Sequence, residues 1–257
     1  MNNPILRVEN LSVLLKDNKR KILSDISFEV NQNDVLALMG FNGCGKSTIL
    51  RAIAGTMMKG HKCDYEIISG SIYFCGENIL NFNNKKLEDY RLKIAYIKQE
   101  DRYFPGATVG MLVEDRLSAV GLKMTEKEIK QSINDFFPKD DDNTVTFDSE
   151  PEKLSGGQKK LLSIFLETIS KPNVSLYLID EPLNNLDFKN AGMVSNLINK
   201  IHLQNRNSAI ILVTHCRIIT CINRAIELKK GLIVNNNAKY ECHNCYGNAD
   251  ECGMYEK

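Results

Sequence analysis

Glycines, a lysine and hydroxyl residues are concentrated in one short segment, which comprises Gly40, Phe41, Asn42, Gly43, Cys44, Gly45, Lys46, Ser47 and Thr48. The segment follows an apolar run, 35–38, and precedes apolar residues at helical spacing in 49–54. The spacing of Gly40, Gly45, Lys46 and Ser47 matches a phosphate-binding loop between a buried strand and a helix. In such a loop, backbone N–H groups surround the phosphates, Lys46 reaches the β- and γ-phosphates, and Ser47 is a magnesium ligand. The segment therefore predicts a site for a nucleotide and Mg²⁺.

Two adjacent acidic residues, Asp180 and Glu181, end another continuously apolar run, 176–179. This position is the carboxyl end of a predicted buried strand, where open α/β sheets bind their ligands. Since a phosphate loop needs an acidic magnesium partner, Asp180 is the candidate metal ligand and Glu181 the candidate base for the attacking water. Adjacent acids after a strand also cap turns without any ligand, but together with the phosphate loop they favour the catalytic interpretation.

A second helix start suited to anions lies at Leu154, Ser155, Gly156, Gly157 and Gln158. A serine followed three residues later by glutamine, before apolar residues at helical spacing, is typical of a capping box. One nucleotide needs only one phosphate loop. The second helix start is therefore predicted to serve a nucleotide that is bound to another copy or to a partner.

A parallel sheet is the element that would bring these residues together. Segments 35–39, 176–179 and 210–213 are continuously apolar, as expected for strands buried on both faces of such a sheet. Segments 5–15 and 22–30 predict strands with one solvated face, and 125–137 predicts a helix with a capping box at Thr125 and Glu128. The pattern predicts an α/β chain whose middle, about 100–153, is mainly helical.

Composition narrows the function classes. The 257 residues carry 33 lysines and arginines against 32 aspartates and glutamates, a net charge of +1. No basic field indicates a nucleic-acid partner, and no apolar run approaches the roughly 20 residues of a membrane helix. A cytosolic setting is predicted, in which the eight cysteines are reduced thiols or metal ligands rather than disulfides.

The segment 154–158 resembles the signature of the ATP-binding cassette of the ABC superfamily, and the resemblance extends from about residue 5 to 234 with the motifs in the family's order. It implies ATP and Mg²⁺ as cofactors and ATP hydrolysis as the activity. It also implies that Gln99 contacts Mg²⁺ and the transmembrane partner, that Asp187 crosses to the opposite cassette, and that His215 joins Glu181 as a catalytic residue by contacting the γ-phosphate.

The resemblance implies a domain plan as well. Residues 1–237 would form a P-loop NTPase core with a parallel sheet, an N-terminal antiparallel β subdomain and an inserted helical subdomain at about 100–170. Residues 238–257 would form a cysteine-rich tail.

The function implied is the ATP-binding subunit of an ABC transporter, cytoplasmic and attached to the membrane through separate transmembrane subunits. Two cassettes, identical or different, would pair so that Ser155 and Gly157 of one close on the nucleotide held by Lys46 of the other. The alternative is a soluble ABC ATPase, for example one that serves iron–sulfur assembly.

The chain departs from the family in three places. Leu14, Leu15 and the polar residues 16–20 stand where the family usually stacks an aromatic ring on adenine. Lys159 and Lys160 follow the signature where arginine is common, and Cys44 replaces a small hydroxyl residue in the phosphate loop.

The tail offers four candidate ligands for a tetrahedral zinc ion, namely Cys242, His243, Cys245 and Cys252. Their spacing is irregular, so an unstructured reduced tail and a docking or redox element stay open as alternatives.

Overall fold

The structure, a computed structural model, describes residues 3–58, 63–99, 103–137, 144–171, 173–214 and 219–238. The predicted catalytic His215 and the four candidate zinc ligands lie outside these residues.

Groups of one to three strands are separated by helices along the described chain. The strands are β1 (Leu6–Leu15), β2 (Lys21–Val30), β3 (Val35–Met39), β4 (Tyr65–Phe74), β5 (Glu77–Asn78), β6 (Ile94–Ile97), β7 (Leu176–Asp180), β8 (Ala209–Val213), β9 (Arg224–Lys229) and β10 (Leu232–Asn235). The α-helices are α1 (Lys46–Ile53), α2 (Asn84–Leu92), α3 (Val109–Ala119), α4 (Glu126–Phe136), α5 (Gly156–Ile169) and α6 (Phe188–Gln204).

A six-stranded sheet with the order β10-β9-β3-β8-β7-β6 forms the centre of the fold. Its five strands from β9 to β6 are parallel, and β10 pairs antiparallel with β9. The side chains of β7 and β8 are buried throughout, as their continuous apolar runs predict. Because the strands are parallel, the phosphate loop after β3 and the acidic residues at the end of β7 lie along the same edge.

A second sheet, with the order β2-β1-β4-β5, is antiparallel. In β2, buried and exposed side chains alternate from Ile26 to Val30, in agreement with the sequence pattern. The predicted fold class, a parallel core with an N-terminal antiparallel sheet and inserted helices, is confirmed.

The two faces of the central sheet are covered by different layers. The apolar side chains of α1 pack with the antiparallel sheet against one face, which presents Leu36, Leu178 and Ile211. The apolar side chains of α3, α4, α5 and α6 pack against the other face, which presents Ala37, Ile179 and Leu212. The helix that follows the phosphate loop and the helix that follows the signature therefore belong to opposite layers.

Three helices, α3 to α5, lie in the insertion between β6 and β7. The predicted capping box opens α4, since the Thr125 side chain accepts from the Glu128 backbone and the Glu128 carboxylate accepts from the Thr125 backbone. Phe136 and Phe137 pack on Phe165 of α5 and so attach α4 to the signature helix. The predicted limits of this subdomain and of the tail stay predictions.

None of the helices in the described part of the chain has both the length and the apolar character needed to span a bilayer.

Tyr90 of α2 supports the far end of α1. Its side chain is 2% exposed, and its hydroxyl donates to the carbonyl of Ile53, the last residue of α1. Burial raises the pKa of this hydroxyl, which therefore stays a donor throughout the physiological range. The bond satisfies a carbonyl that the helix itself leaves without an N–H donor.

Tyr90→Phe is expected to lower the free energy of unfolding by about 1–2 kcal/mol, because the Ile53 carbonyl would stay buried without this donor. Urea denaturation followed by far-UV circular dichroism measures the change. Tyr73→Phe is the matched control, since the half-buried ring of Tyr73 packs under Arg7 and is kept in the variant. Equal stability of wild type and Tyr90→Phe would contradict this role.

Candidate functional site

The phosphate loop is formed by close packing against β9. Gly40 has φ +135°, and a Cβ built there would lie 2.2 Å from the carbonyl oxygen of Leu228. Only glycine fits this position. The α1 helix then begins at Lys46 with Gly45 as its N-cap, with no side-chain cap and no acidic residue in its first turn. Its first N–H groups and positive dipole end are thus suited to a bound anion.

Lys46 is folded into the loop. It is 4% exposed, and its Nζ donates to the carbonyl oxygens of Gly40 at 2.6 Å and Phe41 at 3.1 Å. Both acceptors are neutral, whereas a phosphate oxygen would accept a stronger, charge-assisted hydrogen bond. The lysine is therefore placed to exchange loop carbonyls for phosphate.

Ser47 and Asp180 meet across β8. The Ser47 hydroxyl donates to Oδ1 of Asp180 at 3.0 Å, although β8 lies between β7, which ends at Asp180, and β3, which precedes the helix of Ser47. Burial raises the pKa of Asp180, while the Ser47 hydrogen bond and the charges of Arg51 and Lys160 act in the opposite direction. A carboxylate removed from water in this way gains from a divalent cation.

This donor set fits magnesium rather than a closed metal cage. In the described residues, no cluster of three or more histidine, cysteine, aspartate or glutamate side chains could hold a metal. Mg²⁺ typically takes one or two carboxylates and completes its shell with phosphate oxygens and water. Ser47 and Asp180 would hold such an ion.

Glu181 is fixed by its backbone and by two amides. Its φ is +43°, unusual for a residue with a side chain, and its N–H donates to the carbonyl oxygen of Val213 at 3.0 Å. Its Oε2 accepts from Gln99 Nε2 at 2.8 Å and from Asn184 Nδ2 at 3.1 Å. The strain and the paired donors indicate that the position of this carboxylate is specified.

Gln99 was expected to contact Mg²⁺, and the structure instead records a hydrogen bond from its amide to Glu181. A magnesium contact through its oxygen stays a prediction.

The signature segment begins α5 as predicted. The Ser155 hydroxyl accepts from the backbone N–H of Gln158, and Gln158 Oε1 accepts from the backbone N–H of Ser155 at 2.9 Å. Gly157 is buried, and a Cβ built there would lie 2.3 Å from Oδ1 of Asn190 in α6. Close packing of α5 on α6 thus requires glycine at this position.

Asp187 acts within its own chain as the N-cap of α6. Its carboxylate accepts from the backbone N–H and the side-chain amide of Asn190, and these hydrogen bonds lower the pKa of Asp187. A contact of Asp187 with an opposite cassette stays a prediction.

The comparisons with known proteins decide the family. The family model described as ABC transporter matches residues 23–184. The chain belongs to the ABC transporter family. The sequence-based identification of an ATPase cassette is confirmed.

Two curated relatives show how the cassette occurs in longer proteins. This chain is 28% identical over 237 residues to methionine import ATP-binding protein MetN 1 of Enterococcus faecalis. The aligned residues cover 91% of this chain and 63% of that protein. The chain is 31% identical over 227 residues to ABC transporter G family member 19 of Arabidopsis thaliana, covering 85% of this chain and 29% of that protein. The cassette therefore spans less than two thirds of the length of each.

Solved structures share the fold of the cassette. A dimeric post-hydrolysis state of the ATP-binding cassette MJ0796 with ADP and Pi has a TM-score of 0.74 at 19% identity, covering 92% of this chain and 99% of that one. The structure of cbiO1 from Clostridium perfringens, part of the ABC transporter complex cbiONQ, has a TM-score of 0.71 at 24% identity. The match covers 92% of this chain and 89% of that one.

The turn where the family usually places an adenine-stacking aromatic residue is polar in this chain. The turn between β1 and β2, residues 16–20, contains no aromatic residue. Lys16 is held by its Nζ, which donates to the carbonyl oxygen of Cys63.

Lys160 is the residue whose place near the site sequence analysis missed. It is 8% exposed, and its Nζ donates to the carbonyl oxygens of Lys98 and Gln99, both at 2.8 Å. The only sequence signal was its position on the apolar side of α5, between Gly157 and Ile164.

Asp180→Asn is expected to raise the melting temperature by a few degrees, because it removes a buried charge and keeps an acceptor for Ser47. The gain is expected at neutral pH and disappears below about pH 3.8, the ordinary pKa of the carboxyl, where the folded and unfolded chains are both protonated. Differential scanning calorimetry across pH measures it.

The matched control is Asp34→Asn. Asp34 forms an ion pair with Arg224 at 2.7 Å, so its loss is expected to lower the melting temperature. An Asp180→Asn chain that melts below wild type at pH 7 would show that the carboxylate stabilises the fold and contradict its placement as a metal ligand kept at a cost in stability.

Proposed function

We propose that the chain is the ATP-binding subunit of an ABC transporter and hydrolyses ATP at the interface between two cassettes. The observation that carries the proposal is the placement of two carboxylates beside the phosphate loop. Asp180 contacts Ser47 at the start of α1, and Glu181, the next residue, is held by Gln99 and Asn184.

The residues divide the chemistry of phosphoryl transfer between them. The first N–H groups of α1 and the Lys46 ammonium bind and orient the phosphate chain. Ser47 and Asp180 would hold Mg²⁺. When bound, this ion would neutralise phosphate charge. Glu181 accepts the proton of the attacking water, and the amides of Gln99 and Asn184 keep its carboxylate in one orientation.

A pair of cassettes follows from the arrangement of layers. The α1 and α5 helices, each with an N-terminus suited to anions, cover opposite faces of the central sheet. The phosphates held at Lys46 are therefore expected to meet Ser155 and Gly157 of a second cassette. Asp187 would cross to that cassette, as the resemblance implies.

The proposed assembly includes separate transmembrane subunits, which the cassette would drive from the cytoplasmic side. The names of the relatives support a role in transport, since they describe an import ATP-binding protein and a part of a transporter complex. No nucleic-acid partner is expected from the near-neutral charge.

Two further assignments stay predictions on residues outside the described ranges. His215 would contact the γ-phosphate as the second catalytic residue. The tail residues Cys242, His243, Cys245 and Cys252 would bind zinc if they form a site.

Glu181→Gln is expected to retain ATP binding and slow turnover by roughly 10²–10³-fold, because the isosteric amide cannot accept the proton of water. Steady-state ATPase assays with purified chain measure turnover, and equilibrium binding of ATP measures affinity. The mutant is also expected to accumulate as an ATP-bound dimer on a sizing column.

Glu77→Gln provides the control, since Glu77 is exposed and forms an ion pair with Lys86. Both residues belong to elements that do not form the phosphate loop. This variant should hydrolyse ATP at the wild-type rate. Near-normal turnover of Glu181→Gln would remove Glu181 from the catalytic role.

A further inference from the structure

A buried lysine connects the signature helix to the strand that leads to Gln99. Lys160 lies in the first two turns of α5, and its ammonium donates to two consecutive carbonyls, those of Lys98 and Gln99, directly after β6. Backbone that has just left a strand has lost its neighbouring strand as a hydrogen-bond partner. Lys160 supplies donors at that point.

Burying an ammonium is costly, so a buried lysine marks a position whose contacts are specified. Methionine or leucine would fill the same apolar position on α5 without this cost. The contacts of Lys160 with the carbonyls of Lys98 and Gln99 therefore need a reason beyond packing.

A chain of direct contacts leads from Lys160 to the candidate base. Lys160 holds the carbonyl of Gln99, and the side-chain amide of the same Gln99 donates to Glu181 at 2.8 Å. The backbone position of Gln99 decides whether its amide reaches the carboxylate. A small displacement at this point would let Glu181 turn away from the attacking water.

We propose that Lys160 is a positioning residue for ATP hydrolysis, which fixes the backbone at Gln99 and thereby the orientation of the Glu181 carboxylate. The proposal rests on the proposed function, since it assigns a role in the same hydrolysis. Because Lys160 belongs to the signature helix, it also makes the alignment of the base depend on where that helix lies.

Lys171 provides a matched comparison at the other end of the same strand. Its Nζ donates to the carbonyl of Ile94, the first residue of β6, at 2.8 Å and to Glu167 at 2.6 Å. It therefore also attaches the α5 region to β6 through a lysine, but away from Gln99. A purely structural role for such lysines would give both residues the same effect on activity.

The test measures kcat, KM, ATP affinity and melting temperature for the full-length chain with Lys160→Met or Lys171→Met. Lys160→Met is expected to lower kcat by about 10-fold or more, with ATP affinity within about twofold of wild type. Lys171→Met is expected to lower the melting temperature and leave kcat unchanged. Should Lys160→Met not fold, Lys160→Gln, which keeps one donor, replaces it.

A double-mutant cycle with Gln99→Ala tests the route of the effect. If Lys160 acts through Gln99, Lys160→Met in the Gln99→Ala background causes no further loss of kcat. The inference would be overturned if the kcat losses of the two single variants multiply in the double variant. It would also be overturned if Lys160→Met and wild type have equal kcat. A wild-type chain that binds ATP without hydrolysing it would overturn the proposed function and this inference with it. A wild-type chain that hydrolyses ATP, with equal kcat in Lys160→Met, would overturn this inference alone.

Discussion

The hydrogen bond between Ser47 and Asp180 is the contact on which the proposed nucleotide site depends. It joins the start of α1 to the end of β7 across the intervening β8. The contact requires parallel strands that end at one edge and a glycine loop that turns α1 back over that edge. It also holds a carboxylate in a buried position where its charge is unfavourable without a cation. The proposed nucleotide site would therefore become more stable when Mg²⁺ and phosphate are bound.

The central sheet imposes a second constraint, because it separates the two helix starts suited to anions. α1 packs on one face and α5 on the other. Gly157 lets α5 approach α6, and the cap at Asp187 begins α6 beside it. The signature and the loop after β7 thus pack against each other, apart from the phosphate loop of the same chain. In the proposed dimer, this region would contact a nucleotide held by the other cassette.

Local patterns in the sequence predicted the phosphate loop, the buried strands and the capping boxes, because each depends on residues within a few positions of one another. Contacts between distant segments could not be predicted in this way. Gln99 and Glu181 are 82 residues apart, and their hydrogen bond depends on the pairing of β6 with β7. Lys160 was interpreted as a substitute for arginine, whereas its burial against β6 gives it another partner. β4 was missed because Gly70 and exposed residues interrupt its alternation.

The central claim is that one active site needs residues from two cassettes. ATPase activity of a one-to-one mixture of Lys46→Ala and Ser155→Arg chains tests it most directly, with each variant alone as the control. Each variant alone lacks an intact composite site, whereas a mixed dimer contains one. The account predicts that both variants are inactive and that mixing restores about a quarter of wild-type activity when the chains pair at random. A mixture no more active than its components, or full activity of either variant alone, would contradict it.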